Sequence, residues 1–253
     1  MNKNSESKVA EKLISFEKKT KAYSYTVRGV SVWRLIRSPV GYAMQDLPIF
    51  MPRLKLYDLL IACMRSMWDM ITLSESVRYV VKSYSSAMRV SDEGYLEDIY
   101  FHELLSKESG GLRLSSLNTV VGPSVADGER TKSFDCTAIL VIASIMAFFF
   151  PVRDKTDVFK KLSEEIEKEL DIQHFPATYI RQSFSSFWWQ TLLFDRLFQK
   201  LSPQVVIISD AGERAVIAAC RRSRIKVIEL QHGVFTNNDP DCLPFDAFDD
   251  AHE

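Results

Sequence analysis

Between residues 154 and 171 the chain repeats Val158, Phe159, Leu162, Ile166 and Leu170 at helical spacing, with Lys and Glu filling most other positions. That pattern predicts an amphipathic helix, and its charged side reads as a solvated face rather than a partner site. Residues 178–200 predict a second helix, heavy in aromatics such as Tyr179, Phe184, Phe187, Phe194 and Phe198. Large aromatics at helical spacing are core residues first. The Trp188–Trp189 pair in the same helix also has the shape of a sugar-stacking platform. Helical periodicity recurs at 57–72. It is weaker at 5–21, where Val9, Leu13, Ile14 and Phe16 form the apolar side of a short solvated helix. A further helix carrying Val32, Trp33, Leu35 and Ile36 is predicted to start from a Ser31 cap and stop before Pro39.

Strand signals are sparse in the first half. Tyr23–Val27 alternates and is broken by Arg28-Gly29. Residues 75–90 fit a strand or a helix, since Val77, Tyr79 and Val81 alternate; residues 92–106 turn helical at their end. Residues 40–56, with Pro48 and Pro52, read as a loop. From 107 to 133 Ser, Gly and charge predominate, with Gly110-Gly111, Pro123 and Asp127-Gly128. This predicts a loop and a boundary between subregions. The expected organisation is a helix-rich region over 1–133, a Rossmann-like region over 134–235 and an acidic tail over 236–253. The apolar stretch from Thr137 to Val152 is sixteen residues long, short of the roughly 20 that span a bilayer. It predicts a buried helix or strand, with membrane-surface contact as the alternative.

Composition narrows the field. The chain has 253 residues, a formal charge of −1 and no dominant basic block, which argues against nucleic acid as a partner. Cys63, Cys136, Cys220 and Cys242 lie far apart without a C-x-x-C pair, so neither a zinc knuckle nor a redox motif is indicated and a reducing compartment is expected. The polar, lysine-rich N-terminus lacks the apolar middle of a signal peptide. No metal-ligand spacing and no Gly-rich phosphate loop occur, so neither a metal nor a bound cofactor is expected.

The segment 203–233 is the most informative. Val205-Val-Ile-Ile-Ser209 is a continuous β-branched run of the kind found in parallel sheets. Asp210 stands where a helix cap belongs, with Glu213 three residues later as in a capping box. The helix predicted over 211–223 carries Ala215, Val216, Ala218 and Ala219 and ends in Arg221, Arg222 and Arg224; Lys226–Leu230 is the next strand. Strand, crossover helix and strand make a parallel pair, whose ligands bind beyond the carboxyl ends of the strands. Two loops therefore point at a candidate site: Ser209-Asp210-Ala211-Gly212 and Gln231-His232-Gly233. On a rigid, buried strand, His232 would be delivered to that edge as a base or as a donor to phosphate or sugar hydroxyl, and Gly233 lets the backbone turn closely. Alternatively His232 only hydrogen-bonds its loop. Glu229 either orients a neighbour or pairs with a core arginine. Asp210 either contacts ligand or only caps its helix.

The run Lys226-Val-Ile-Glu-Leu-Gln-His-Gly233, preceded by a strand and an alanine-rich helix, resembles the end of the N-terminal domain of bacterial capsule and lipopolysaccharide glycosyltransferase-like proteins of the GT-B architecture. Glu229, Gln231, His232 and Gly233 match that family's Glu-x-Gln-His-Gly signature. Asp239-Pro240-Asp241-Cys242 stands where the family's later histidine is expected. Gly29, Trp33 and Arg37 are similar in spacing to the family's opening. The resemblance implies an α/β fold with a Rossmann-like parallel sheet, forming the helix-rich, acceptor-side half of such an enzyme. His232 would be catalytic, with Glu229, Gln231, Gly233 and Asp210 binding substrate. It also implies a sugar or lipid-linked acceptor, a separate donor-domain partner for the nucleotide-sugar, and work in the cytoplasm at the inner face of the membrane, with peripheral membrane contact. The 20 residues after Gly233 leave no room for a donor domain, so the chain is expected to be a truncated or partner-dependent half. The alternatives are a non-catalytic remnant or binding module, and a hydrolase or small-molecule-binding domain of flavodoxin-like type.

Overall fold

The computed structural model describes residues 3–45, 56–73, 76–82, 88–90, 96–116, 132–209 and 212–230. In chain order its elements are helix α1 (Lys3–Thr20), strands β1 (Thr26–Val27) and β2 (Val30–Ser31), and helices α2 (Trp33–Ala43) and α3 (Leu56–Thr72). Strands β3 (Tyr79–Lys82), β4 (Met88–Val90) and β5 (Leu96–Asp98) precede helix α4 (His102–Lys107), then strands β6 (Gly111–Ser115) and β7 (Lys132–Asp135). The rest comprises helices α5 (Thr137–Phe149), α6 (Val158–Leu170) and α7 (Ala177–Leu201), strand β8 (Val205–Ile208), helix α8 (Arg214–Arg222) and strand β9 (Lys226–Glu229). The chain divides into two compact units that interleave: Met1–Pro52, Phe150–Ser185 and Gly233–Glu253 in one, Arg53–Phe149 and Ser186–His232 in the other.

In the first unit α1 packs on α6, whose buried residues Val158, Phe159, Leu162, Ile166 and Leu170 are the stripe the sequence predicts. Tyr25 Oη donates to Glu165 Oε1 at 2.6 Å, and Lys19 pairs with Glu169. The unit centres on Glu17, which is 7% exposed. One carboxylate oxygen accepts from Trp33 Nε1 at 2.8 Å and from Arg37 Nε at 2.6 Å. Arg28 (φ 53°) and Gly29 (φ 77°) close the β1–β2 hairpin; positive φ at both central residues is what a tight hairpin turn with matching twist requires. Helix α2 does not stop at Pro39 but runs on to Ala43. The proline removes one backbone hydrogen bond, while Ile36 before it and Val40 after it are both fully buried, so burial carries the helix through. Val32, not Ser31, occupies its N-cap position, without a side-chain cap.

The second unit is an α/β fold of Rossmann-like type. Its sheet has the order β7-β6-β3-β8-β9, and every pair is parallel. Val80, Leu112, Leu114, Phe134, Val206 and Ile208 point to one face, where Ile139 of α5, Phe194 and Phe198 of α7, and Val216 and Ala219 of α8 cover them. Tyr79 and Val81 point to the other, against Phe101 and Leu105. Packing on both faces explains why β8, Val205-Val-Ile-Ile208, is apolar throughout instead of alternating. The ambiguous stretch at 75–90 contains the central strand. The span 107–133 expected to be a loop contains β6, and Gly111 is needed there because a Cβ would collide with the Tyr79 ring.

Replacing Glu17 by Ala removes a buried counter-charge from Arg37 and an acceptor from Trp33, and is expected to cost about 3 kcal/mol. Glu17→Gln keeps an acceptor for Trp33 and should cost less. The midpoints of urea unfolding measure both.

Candidate functional site

The strand order defines where a ligand belongs. From β3 the chain builds outwards through β6 to β7, then returns to the other side of β3 for β8 and β9. The direction reverses between β3 and β8, and in open parallel sheets the crevice beyond the carboxyl ends at such a reversal is the ligand site. Here β3 ends in Lys82 and β8 is followed by Ser209. Ser209 N–H donates to the Lys82 carbonyl at 3.1 Å, and Leu230 N–H to that of Ile208 at 2.8 Å. Pairing thus continues one residue past β8 and β9 and aligns the edge.

Lys82 is 4% exposed. Its Nζ lies 2.8 Å from Glu213 Oε1, whose side chain keeps 24% of its surface. Taking an ammonium out of water costs several kcal/mol, and a lysine stays at such a place only with compensating partners. Glu213 therefore does something other than the sequence suggests. It sits at the boundary of α8 without making a cap bond, and its carboxylate neutralises Lys82. The helix itself starts at Arg214, three residues later than predicted.

Cys136 lies beside this pair. Burial pushes its thiol up to about 12, the Lys82 ammonium works against that, and the carboxylates of Glu213 and Asp135 add to it. The protonated sulfur donates to the Ser115 carbonyl at 2.7 Å, so Cys136 is a packed donor and not a nucleophile. Nor is the start of α5 open to an anion. Its first amides donate to Asp135 Oδ1 (from Thr137, 2.8 Å) and Ser66 Oγ (from Ala138, 3.0 Å). The Ser209 hydroxyl is wholly buried and has no hydrogen-bond partner among the described residues.

Of the residues singled out from the sequence, Asp210, Gln231, His232 and Gly233 lie outside the described residues. Glu229 is described. It pairs in register with Ile208, which brings the ends of β8 and β9 side by side. Its side chain is exposed, and among the described residues no arginine pairs with it. The expectation of a rigid buried strand beneath it needs correction: among the described strands β9 is the edge, bonded on one side only, and Lys226, Ile228 and Glu229 are exposed. Sequence reasoning missed Lys82 altogether. The available signal was a lone lysine closing the apolar run Tyr79-Val-Val, an unusual place for a charge unless the strand end is a site.

No protein family, curated protein or solved structure matches this chain. Among the described residues no helix is long and apolar enough to cross a membrane, and no cluster of His, Cys, Asp and Glu could hold a metal ion. What the fold and the switch-point cluster define is a Rossmann-like α/β protein with a buried cation at the ligand edge of its sheet.

Two outcomes follow for this cluster. Glu213→Gln takes a counter-charge from the buried Lys82 and is expected to cost about 3 kcal/mol, whereas Lys82→Met leaves a carboxylate that can rehydrate and should cost less; denaturant titration of both, and of the double variant, gives the coupling. Burial also raises Cys136 and Cys220 from 9.0 to about 12. Because the folded values lie above the unfolded ones, this contribution to stability is full below pH 9 and is lost as pH rises towards 12. Iodoacetamide at pH 8 should therefore leave both thiols unmodified until the protein is unfolded, and stability should fall across that alkaline window.

Proposed function

We propose that this chain is the acceptor-side half of a glycosyltransferase-like protein of bacterial surface polysaccharide synthesis, working in the cytoplasm at the inner face of the membrane. The observation that carries the reading is a coincidence of sequence and topology. The run Glu229-x-Gln231-His232-Gly233 begins on the last residue of β9, at the carboxyl edge of a parallel sheet and one strand away from the switch point that Lys82 occupies. In this reading His232 accepts the proton of an acceptor hydroxyl as its oxygen attacks the anomeric carbon of the donor sugar, while the bond from that carbon to the nucleotide phosphate breaks. Glu229, Gln231, Gly233 and Asp210 hold the sugar or lipid-linked acceptor. A separate donor-domain partner supplies the nucleotide-sugar.

A second reading, a non-catalytic binding module, is favoured by Asp239-Pro240-Asp241-Cys242 standing in place of the later histidine of the resembling family. The two separate cleanly. With a donor-domain partner and a lipid-linked sugar acceptor supplied, His232→Ala is expected to lower transfer about 100- to 10,000-fold at unchanged melting temperature. A wild-type chain that binds N-acetylglucosamine 1-phosphate, followed by NMR, yet shows no transfer with any donor partner is a binding module. Transfer that survives His232→Ala overturns the assignment of the base.

A further inference from the structure

Helix α3 keeps Met70 against the core but turns five other large apolar residues outwards. Its polar residues face β7 and α5: Ser66 Oγ accepts the Ala138 amide at 3.0 Å and Asp69 Oδ2 accepts the Asp135 amide at 3.2 Å. Its large apolar residues Leu60, Met64, Met67, Trp68 and Ile71 face outwards, with Met64, Trp68 and Ile71 exposed by 71%, 67% and 73%. Helix α5 seats Ile139 in the core and exposes other apolar residues further along. Ala138, Ala143 and Ala147 are buried, whereas Ile145, Phe148 and Phe149 are exposed. As α3 advances from Ser66 to Asp69 its partners go back from Ala138 to Asp135, so the helices are antiparallel, and at ~1.5 Å per residue Ile145 lies level with Leu60.

A monomeric protein exposes apolar patches of ~300–600 Å² at most. Side chains of this size, at ~150–250 Å² each for the aromatics, together present on the order of 1,000 Å². A standard protein interface takes ~800 Å² from each partner. The face is thus large enough for a stable dimer and too large to suit a solitary chain. Its spacing also fits another helix: Leu60, Met64, Met67 and Ile71 follow at steps of four, three and four residues, the repeat of a helix–helix seam. Helices that lie on lipid instead carry Lys and Arg beside the apolar stripe to engage anionic headgroups. In the sequence of α3 and α5 the single Lys or Arg is Arg65.

We propose that this face docks a second copy of the chain, α3 against α3 across a two-fold axis. The dimer removes Met64, Trp68 and Ile71 from water and leaves the carboxyl edge of the sheet to its own ligand.

Sedimentation velocity on the full chain over about 1–100 µM tests this by mass action. The wild type should sediment as a dimer, and Met64→Glu/Ile71→Glu should weaken association at least about 100-fold. Those positions are exposed in the single chain, so the far-UV circular dichroism should be unchanged, and the melting temperature should fall only by the concentration-dependent part that dimerisation contributes. Phe148→Lys is the second variant should the first lose its fold. A wild type that stays monomeric throughout, or a folded double variant that still dimerises, overturns the proposal. A monomer that co-sediments with phosphatidylglycerol–phosphatidylethanolamine vesicles through this face also overturns it and gives the surface to lipid.

Discussion

Four residues hold the second unit together. Tyr79–Lys82 is paired along both edges, to Gly111–Leu114 on one side and Val205–Ile208 on the other. Remove that strand and the sheet separates into β6–β7 and β8–β9, two parallel pairs with no shared backbone. Because parallel pairs are joined only through long crossovers, every contact of β3 is made with chain far away in sequence. The alternation of its side chains then settles both layers. Tyr79 and Val81 anchor one, Val80 the other. Lys82 follows in the same alternation on the Val80 side, where α8 begins, and it meets Glu213 there. The placement of the buried cation is a consequence of strand register, not of any local motif.

That dependence explains what could be read from the sequence. β8, α8 and β9 form one local unit: an apolar β-branched run, a short helix with small residues on its sheet side, and a second run. All were legible, although the helix begins later than its capping pattern suggested. The Rossmann-like class was legible from that unit alone. β3 and β6 were not, because their strand character is supplied by partners across more than a hundred residues for β3–β8 and by burial on two faces. Gly111-Leu-Arg-Leu-Ser115 looks like loop composition until Tyr79 lies against it. The site was legible in part. The edge formed by the ends of β8 and β9 was anticipated, while Lys82 was missed because it approaches from a strand that sequence left undecided. The apolar repeat of α3 was read correctly as helical, but periodicity gives the existence of a stripe and not what covers it. The hydrogen bonds of Ser66 and Asp69 decide that, by committing the polar side inwards.

The two buried ion pairs contrast in a way that bears on their roles. Glu17 and Arg37 are both nearly sealed, at 5% and 3% side-chain exposure, with Trp33 as a further donor. Such a pair specifies one packing and has little freedom to exchange partners. Lys82 is equally sealed, but its partner Glu213 keeps contact with water and belongs to a helix start instead of a helix interior. Glu213 can therefore change its solvation without the core being dismantled.

The interleaving of the two units has a consequence during synthesis. Helix α1, which buries Val9, Leu13 and Phe16, packs on α6, and Lys19 meets Glu169 across 150 residues of chain. A ribosome adding about 5–20 residues per second needs roughly 10–30 s to deliver that stretch. Throughout the interval the first helix has emerged without the α6 part of its shelter, so the nascent chain presents apolar surface to whatever chaperone waits at the exit tunnel.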